Sequence, residues 1–216
     1  MRFVVRCFFL YFILFSWTSG FADSVNPNLP APYDEALLLP YSPEGWYLNH
    51  GPLARLIKKF NVQTVIEVGS WMGLSTIDIA RMLPENGKVY AVDTWEGSPD
   101  EQHHPQTLAN LYNQFLSNVI HTQLTHKIIP VRMESTQAAK VLSVKPDLIY
   151  IDATHTYKAC YADLRAWYPY VKDSGILCGD DLRWGDCGVE KAVRQFAAEN
   201  NLVVRDNGWF WWLERR

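Results

Sequence analysis

The chain has 216 residues, 48% hydrophobic and 20% charged, with a formal net charge of −3 and a pI near 6.1. That length suits one domain with a full core and no need of covalent staples, and the near-neutral balance removes any bulk-charge case for a nucleic-acid partner. Nine Trp and eleven Tyr leave room for an aromatic-lined pocket, although aromatic rings are also ordinary core filling.

Arg2 and Arg6 precede an apolar run from Cys7 to Trp17, and Gly20, Phe21 and Ala22 follow. This is the layout of a signal peptide over residues 1–22, cut after Ala22, because the apolar run is short for a membrane span. An uncleaved N-terminal anchor is the alternative. Both place residues after 23 outside the cytosol, periplasmic or secreted, since the positive charges lie before the apolar run. Beyond this segment no membrane partner is expected. Removal of Cys7 leaves Cys160, Cys178 and Cys187, an odd set that allows one disulfide at most. No Cys/His spacing suggests zinc, and Cys160 and Cys178 read as packing residues.

Residues 23–45 are Pro-rich and predict an extended lead-in to a domain at 46–216. The pattern then alternates. It predicts a helix over 46–60, a strand over 63–68, a helix over 74–83 and a strand over 88–94. After the loop WEGSPDEQHHP come a helix near 106–121, the strand HKIIPVR, the short helix TQAAKVL and the strand DLIYID. The helix TYKACYADLRAWYPYV, the strand GILCGD and the helix VEKAVRQFAAEN follow, and LVVRD and WFWWLE close the chain around Asn207-Gly208, a two-residue hairpin signal. Strands alternating with helices imply parallel pairing through crossover helices, hence an α/β, doubly wound, Rossmann-like sheet. It has seven strands, mostly parallel, with a C-terminal antiparallel β-hairpin.

Ligands of such sheets bind outside the carboxyl ends of the strands. The first strand ends in EVGSWMGLS, where Gly69 and Gly73 flank the turn into a helix and let backbone N–H groups approach a ligand. The spacing is not that of the dinucleotide fingerprint, which disfavours a nicotinamide cofactor. Asp93 ends the next strand, where a carboxylate can accept both hydroxyls of a ribose. Either feature alone is equally a tight turn or a solvated acid; on adjacent strands they point to a nucleoside ligand. Asp152, Asp180 and Asp181 each lie just past a strand end. Three converging carboxylates repel unless a cation holds them, and oxygen ligands suit Mg²⁺ or Ca²⁺; the plain alternative is an acidic pair capping a loop. His155, three residues past Asp152, is either a helix cap or a general base titrating near neutrality.

EVGSWMGLS, AVDTW, DLIYIDATHTY and GILCGDD, in that order over about residues 60–200, resemble the successive motifs of class I S-adenosylmethionine-dependent methyltransferases. The chain is most similar to the small metal-dependent O-methyltransferases, of the methyltransferase domain 24 type. The resemblance implies Glu67, Gly69 and Ser75 at the amino-acid end of S-adenosylmethionine and Asp93 on its ribose. It implies Trp95 near the adenine and Ser135 at the adenine edge, although Ser135 equally reads as a helix cap. It further implies Asp152, Asp180 and Asp181 as metal ligands, with Asp181 where relatives carry Asn, and His155 as the base.

The implied activity is O-methylation of a small hydroxylated molecule with help from a divalent cation. The other reading is an exported, catalytically silent protein that binds a nucleoside or small molecule in the same cleft, because fold does not fix function. Export adds weight to it, since S-adenosylmethionine is made in the cytosol. EGSPDEQHHPQ, with His103 and His104, is the expected substrate loop, and Arg183 and Trp184 form a second rim suited to an anionic or sugar-like substrate. Homo-oligomerisation stays open.

Overall fold

The computed structural model describes residues 28–98 and 105–216, with the side chains of residues 105 and 106 left aside. The expected signal segment, His103 and His104 lie outside the described residues. Five strands, β1 (Thr64–Val68), β2 (Lys88–Asp93), β3 (Ile128–Arg132), β4 (Leu148–Ile151) and β5 (Ile176–Gly179), run parallel. β6 (Leu202–Asp206) and β7 (Trp211–Arg215) complete a seven-stranded sheet of order β3-β2-β1-β4-β5-β7-β6, with β7 antiparallel to both of its neighbours. This is the doubly wound, Rossmann-like sheet with a terminal hairpin that the alternation predicts.

Helices α1 (His50–Lys59), α2 (Leu74–Met82), α3 (Pro105–His121), α4 (Ser135–Val141), α5 (Tyr157–Trp167) and α6 (Gly188–Glu199) cover the two faces. Alternate residues of each strand feed opposite cores, as the pleat requires. Val65, Leu148 and Tyr150 pack with α1, α2 and α3; Ile66, Ile149 and Ile151 pack with α4, α5 and α6. Pro130 falls on β3, the edge strand, where a missing N–H costs no ladder bond. Among the described residues no helix is long and apolar enough to cross a membrane. Cys160, Cys178 and Cys187 are free thiols, the first two buried.

Three boundaries differ from the sequence expectation. The first helix starts at His50, not at 46, because Pro52 has no N–H to close a turn on Leu48; residues 46–49 have no regular secondary structure. The closing hairpin has a four-residue turn, with β6 paired to β7 from Asp206↔Trp211 and Asn207 N donating to Phe210 O at 3.1 Å. Asn207 Oδ1 also accepts from Phe210 N at 3.2 Å, which holds Phe210 out of the strand. Over its described residues, 28–45, the lead-in includes a 3-10 turn at Tyr33–Glu35 and is anchored at several points. Tyr33 is buried, its hydroxyl donating to Ile128 O at 2.9 Å. Past it, Leu37 N, Leu39 N and Ser42 N donate to Asn113, Ser117 and Asn118 of α3.

Candidate active site

A cavity of about 330 Å³ opens over the carboxyl ends of β1, β2, β3 and β4. Its floor begins at the β1–α2 turn. Gly69 has φ +88°, and a Cβ there would lie 1.9 Å from Asp152 O, so only glycine lets β1 pass this close to the end of β4. Gly73, φ +87°, forms the N-cap of α2 with Phe115 against its Cα.

The amides of this turn are largely spoken for, contrary to the expectation that they face a ligand. Ser70 N and Trp71 N both donate to Asp93 Oδ2 at 2.9 Å, Gly69 N to Val92 O and Gly73 N to Ser70 O. Asp93 Oδ1 takes Trp95 N at 2.7 Å. Asp93 therefore clamps the β1 turn to the β2 turn while still lining the cavity. The amides left for a ligand are those of the first turn of α2, where Leu74 and Ser75 form part of the wall.

Glu67 stands behind this turn, not on the wall. It is fully buried, and its Oε2 accepts from Ser70 Oγ at 2.8 Å and from Thr76 Oγ1. Burial pushes its carboxyl up to about 7, against the lowering effect of hydroxyls from Ser75, Thr76 and Ser70. Its Oε1 is buried without a hydrogen-bond partner. Trp95 is also removed from the wall. Its indole is buried between Tyr112 and Phe115, at centroid distances of 4.7 and 4.8 Å, and its Nε1 donates to Trp71 O at 2.8 Å. A tryptophan so enclosed is core, and an adenine cannot stack on it.

At the β3 end, Ser135 lines the cavity but does not cap α4; Glu134 does, accepting from Gln137 N at 3.0 Å. Ser135 Oγ accepts from Trp167 Nε1 at 2.8 Å and faces Asp163, a buried acid on the same wall. Burial raises Asp163 to about 7, with Ser135 opposing the shift. Sequence reading passed Asp163 over. Its signal was there: it shares the spacing of Cys160, Leu164 and Trp167, the buried stripe of α5.

The opposite end holds the acidic group, with one change of membership. Ligand-capable atoms of Asp152, His155 and Asp181 lie within 4.8 Å of one another. His155 Nε2 is 2.9 Å from Asp181 Oδ2, and the imidazole lies 5.5 Å from the Trp184 ring. Asp180, expected in this set, turns instead toward Asn49, whose Nδ2 also donates to Tyr150 OH at 3.1 Å. The left-handed residue Asp181, φ +59°, separates the directions of the two side chains. Tyr150 OH in turn donates to Asp152 Oδ2 at 2.9 Å. Burial, then Asp180 and Asp181, push the Asp152 carboxyl well above the usual carboxylate range.

The rim joins a segment that the sequence did not single out, Glu44–Tyr47, to Trp184, which it did. Glu44, Gly45, Trp46 and Tyr47 line the cavity, with Gly45 beside Trp71, and Trp184 lines it as well. Gly97 and Ser98, at the start of the expected substrate loop, also border the opening. Arg183 does not; it pairs with Asp206 at 3.6 Å.

A family model described as a methyltransferase domain matches residues 66–182, from β1 through the turn after β5. The chain belongs to this methyltransferase family. Tapetum-specific methyltransferase 1 of Arabidopsis thaliana is 24% identical over 168 residues, which span 71% of this chain and 66% of that protein. The O-methyltransferase of Bacillus cereus, solved in complex with SAH, superposes with a TM-score of 0.58 at 17% identity, over 87% of this chain and 85% of its own. TomG, an O-methyltransferase of Streptomyces achromogenes solved with SAM, gives 0.57 at 12% identity, over 81% and 82%. At these identities the solved structures share the class I methyltransferase fold. The matched range spans the β1 turn, Asp93 and the β4 end, which border the cavity described above.

Proposed function

We propose that the protein transfers a methyl group from S-adenosylmethionine to a hydroxyl of a small molecule, assisted by a divalent cation. The observation that carries this is the juxtaposition, across one cavity, of the Asp93-clamped turn with the Asp152, His155 and Asp181 group. Bound S-adenosylmethionine supplies an electrophilic methyl on a sulfonium. The Asp93 carboxylate keeps acceptor capacity for ribose hydroxyls beyond its three amides, and the first turn of α2 suits the cofactor carboxylate. Glu67 acts as a positioning residue that fixes Ser70 and Thr76 beneath the turn. Ser135 and Asp163 offer hydrogen-bonding atoms to the adenine.

The donor set at the other end fits a hard cation, because two carboxylates and an imidazole converge there and Asp152 resists ionisation without a counter-charge. Asp152 and Asp181 would hold it, with Tyr150 orienting Asp152. Such a cation lowers the pKa of a bound hydroxyl. His155 is the proton acceptor. With the imidazole in its Nδ1–H tautomer, the Nε2 lone pair takes the proton of the acceptor hydroxyl, and the neighbouring Asp181 carboxylate stabilises the imidazolium that forms. The acceptor O–H breaks as N–H forms; O–CH₃ forms as S–CH₃ breaks, releasing S-adenosylhomocysteine.

Calorimetry of the 23–216 chain with S-adenosylmethionine, with and without Mg²⁺, tests this reading. Micromolar binding, about 8 kcal/mol, is expected, and heat from Mg²⁺ should vanish in Asp152→Asn. Absence of cofactor binding would remove the reading. Cofactor binding with no transfer to any hydroxyl would leave the silent binding protein. Export is proposed alongside it, with Asp23 as the first mature residue; an intact-mass measurement on native protein showing the full chain in the cytosol would reverse that.

A further inference from the structure

Six of the described residues lining the cavity carry carboxyl groups, namely Glu44, Asp93, Glu134, Asp152, Asp163 and Asp181. None of the described lining residues is a lysine or an arginine. The two arginines nearest in sequence to the rim are engaged elsewhere. Arg183 pairs with Asp206 at 3.6 Å, and Arg132 lies over the Tyr112 ring at 4.8 Å.

These acids divide by task. Asp93 is held by backbone amides, Glu134 caps α4, and Asp163 faces Ser135. Glu44, Asp152 and Asp181 remain, in a cavity that Trp46, Trp71 and Trp184 also line. Trp46 is 86% exposed and Trp184 49%, so both present ring faces at the mouth. Carboxylates within low-dielectric aromatic walls focus a negative potential. Tryptophan faces add attraction for an ammonium group and for flat rings. Asp152 and Asp163 resist ionisation and add little to that potential in the empty cavity; a cation on Asp152 and Asp181, with the cofactor sulfonium, offsets only part of what the other acids supply.

We propose that the acceptor is a cationic, ring-bearing hydroxyl compound, a hydroxylated amine, and that the cavity rejects anionic acceptors such as carboxylates, phosphates and acyl thioesters of coenzyme A. This names the acceptor class of the methyl-transfer site above and rests on that reading for the word acceptor. The charge preference itself rests on the cavity wall. It also replaces the expectation of an anion gripped by Arg183.

Three phenols of similar size and different charge test it: tyramine, 4-ethylphenol and 4-hydroxyphenylacetate. Their binding to the 23–216 chain, with and without S-adenosylhomocysteine, is read by quenching of tryptophan fluorescence. Tyramine should bind tightest and 4-hydroxyphenylacetate at least tenfold more weakly, with the gap narrowing as salt is raised. Glu44→Lys, at the exposed rim, should shrink the gap several-fold without changing the affinity for S-adenosylhomocysteine. Equal or tighter binding of 4-hydroxyphenylacetate overturns the proposal, and so does failure of all three phenols to bind. Addition of S-adenosylmethionine separates the two claims. Tyramine bound in preference but never methylated would remove methyl transfer and leave the charge preference. Methyl transfer to 4-hydroxyphenylacetate as readily as to tyramine would do the reverse.

Discussion

At the β1–β2 end of the cavity, both oxygens of Asp93 are met by backbone amides, and the hydroxyls of Ser70 and Thr76 close on Glu67. At the β4–β5 end, Asp152 feels Asp180 and Asp181 and has one hydroxyl donor, Tyr150. Apart from Glu67 Oε1, the first end is satisfied within the protein and so is built before any ligand arrives. The second holds electrostatic strain that a bound cation would relieve. Removing a side chain from the first end should therefore cost stability, and removing one from the second should cost activity.

The largest expected effect lies at the strained end. His155→Ala should lower turnover by roughly 10²–10⁴-fold, the usual worth of a positioned base. Partial recovery at high pH should follow, where the acceptor hydroxyl ionises unaided; a pH–rate profile equal to that of wild type would return His155 to a structural role. Asp152→Asn sharpens the contrast. It should abolish Mg²⁺-dependent turnover yet raise the melting temperature measured in chelator, because a neutral amide replaces an acid whose ionisation is disfavoured there. A lower melting temperature would show that the strain is not there.

At the satisfied end, Asp93→Ala leaves the amides of Ser70, Trp71 and Trp95 without their acceptor. Roughly 3 kcal/mol of stability should be lost, with at least a tenfold fall in cofactor affinity. Asp93→Asn, which keeps an acceptor oxygen, should lose less of each. Chemical denaturation and calorimetry on the two variants read both quantities. A variant of normal stability with weakened affinity would assign Asp93 to the ribose alone.

The pH dependence carries its own sign. Burial raises Glu67 from 4.5 to about 7 in the folded chain, so between those values the native state holds a proton that the unfolded state has lost. Stability should thus fall as pH rises from about 4.5 through 7, by about 3 kcal/mol from this group alone. Asp163, raised from 3.8 to about 7, acts in the same direction. Glu67→Gln should flatten the decline; an unchanged slope would mean the carboxyl is not held as described. The smallest effect is expected for Trp95→Phe. It should lose the bond from Nε1 to Trp71 O, about 1 kcal/mol, with cofactor affinity unchanged, whereas an adenine-stacking residue would give the opposite pattern.

The order of strands and helices was legible because each crossover unit repeats a strong pattern, an apolar run and then a helical stripe. The placement of Gly69, Ser75, Asp93 and Ser135 on one cavity was legible for the same reason: each lies at the carboxyl end of a strand or in the turn and first helical turn that follow it. What escaped the sequence depends on side-chain direction. Trp95 and Glu67 sit at motif positions yet point into protein, and no spacing distinguishes inward from outward at a turn. Asp180 and Asp181 are adjacent letters, but one left-handed residue aims them differently and leaves His155 in the cluster. The rim at Glu44–Tyr47 was hidden because extended, Pro-flanked chain carries no periodicity.

That rim is tied to a distant part of the chain. Asn118 of α3 takes Ser42 N at 2.8 Å and donates to both Ser42 O and Met72 O, at 3.0 and 2.8 Å. The residues that border the acceptor mouth are thus held by an asparagine 76 positions downstream. Such pairings must wait until the intervening chain has closed its loops. During synthesis the N-terminal strap emerges early and finds its seat late, after α3 has folded. The mouth of the cleft therefore takes shape only once α3 is in place, and a chain crossing a membrane in extended form would assemble that rim only on the far side.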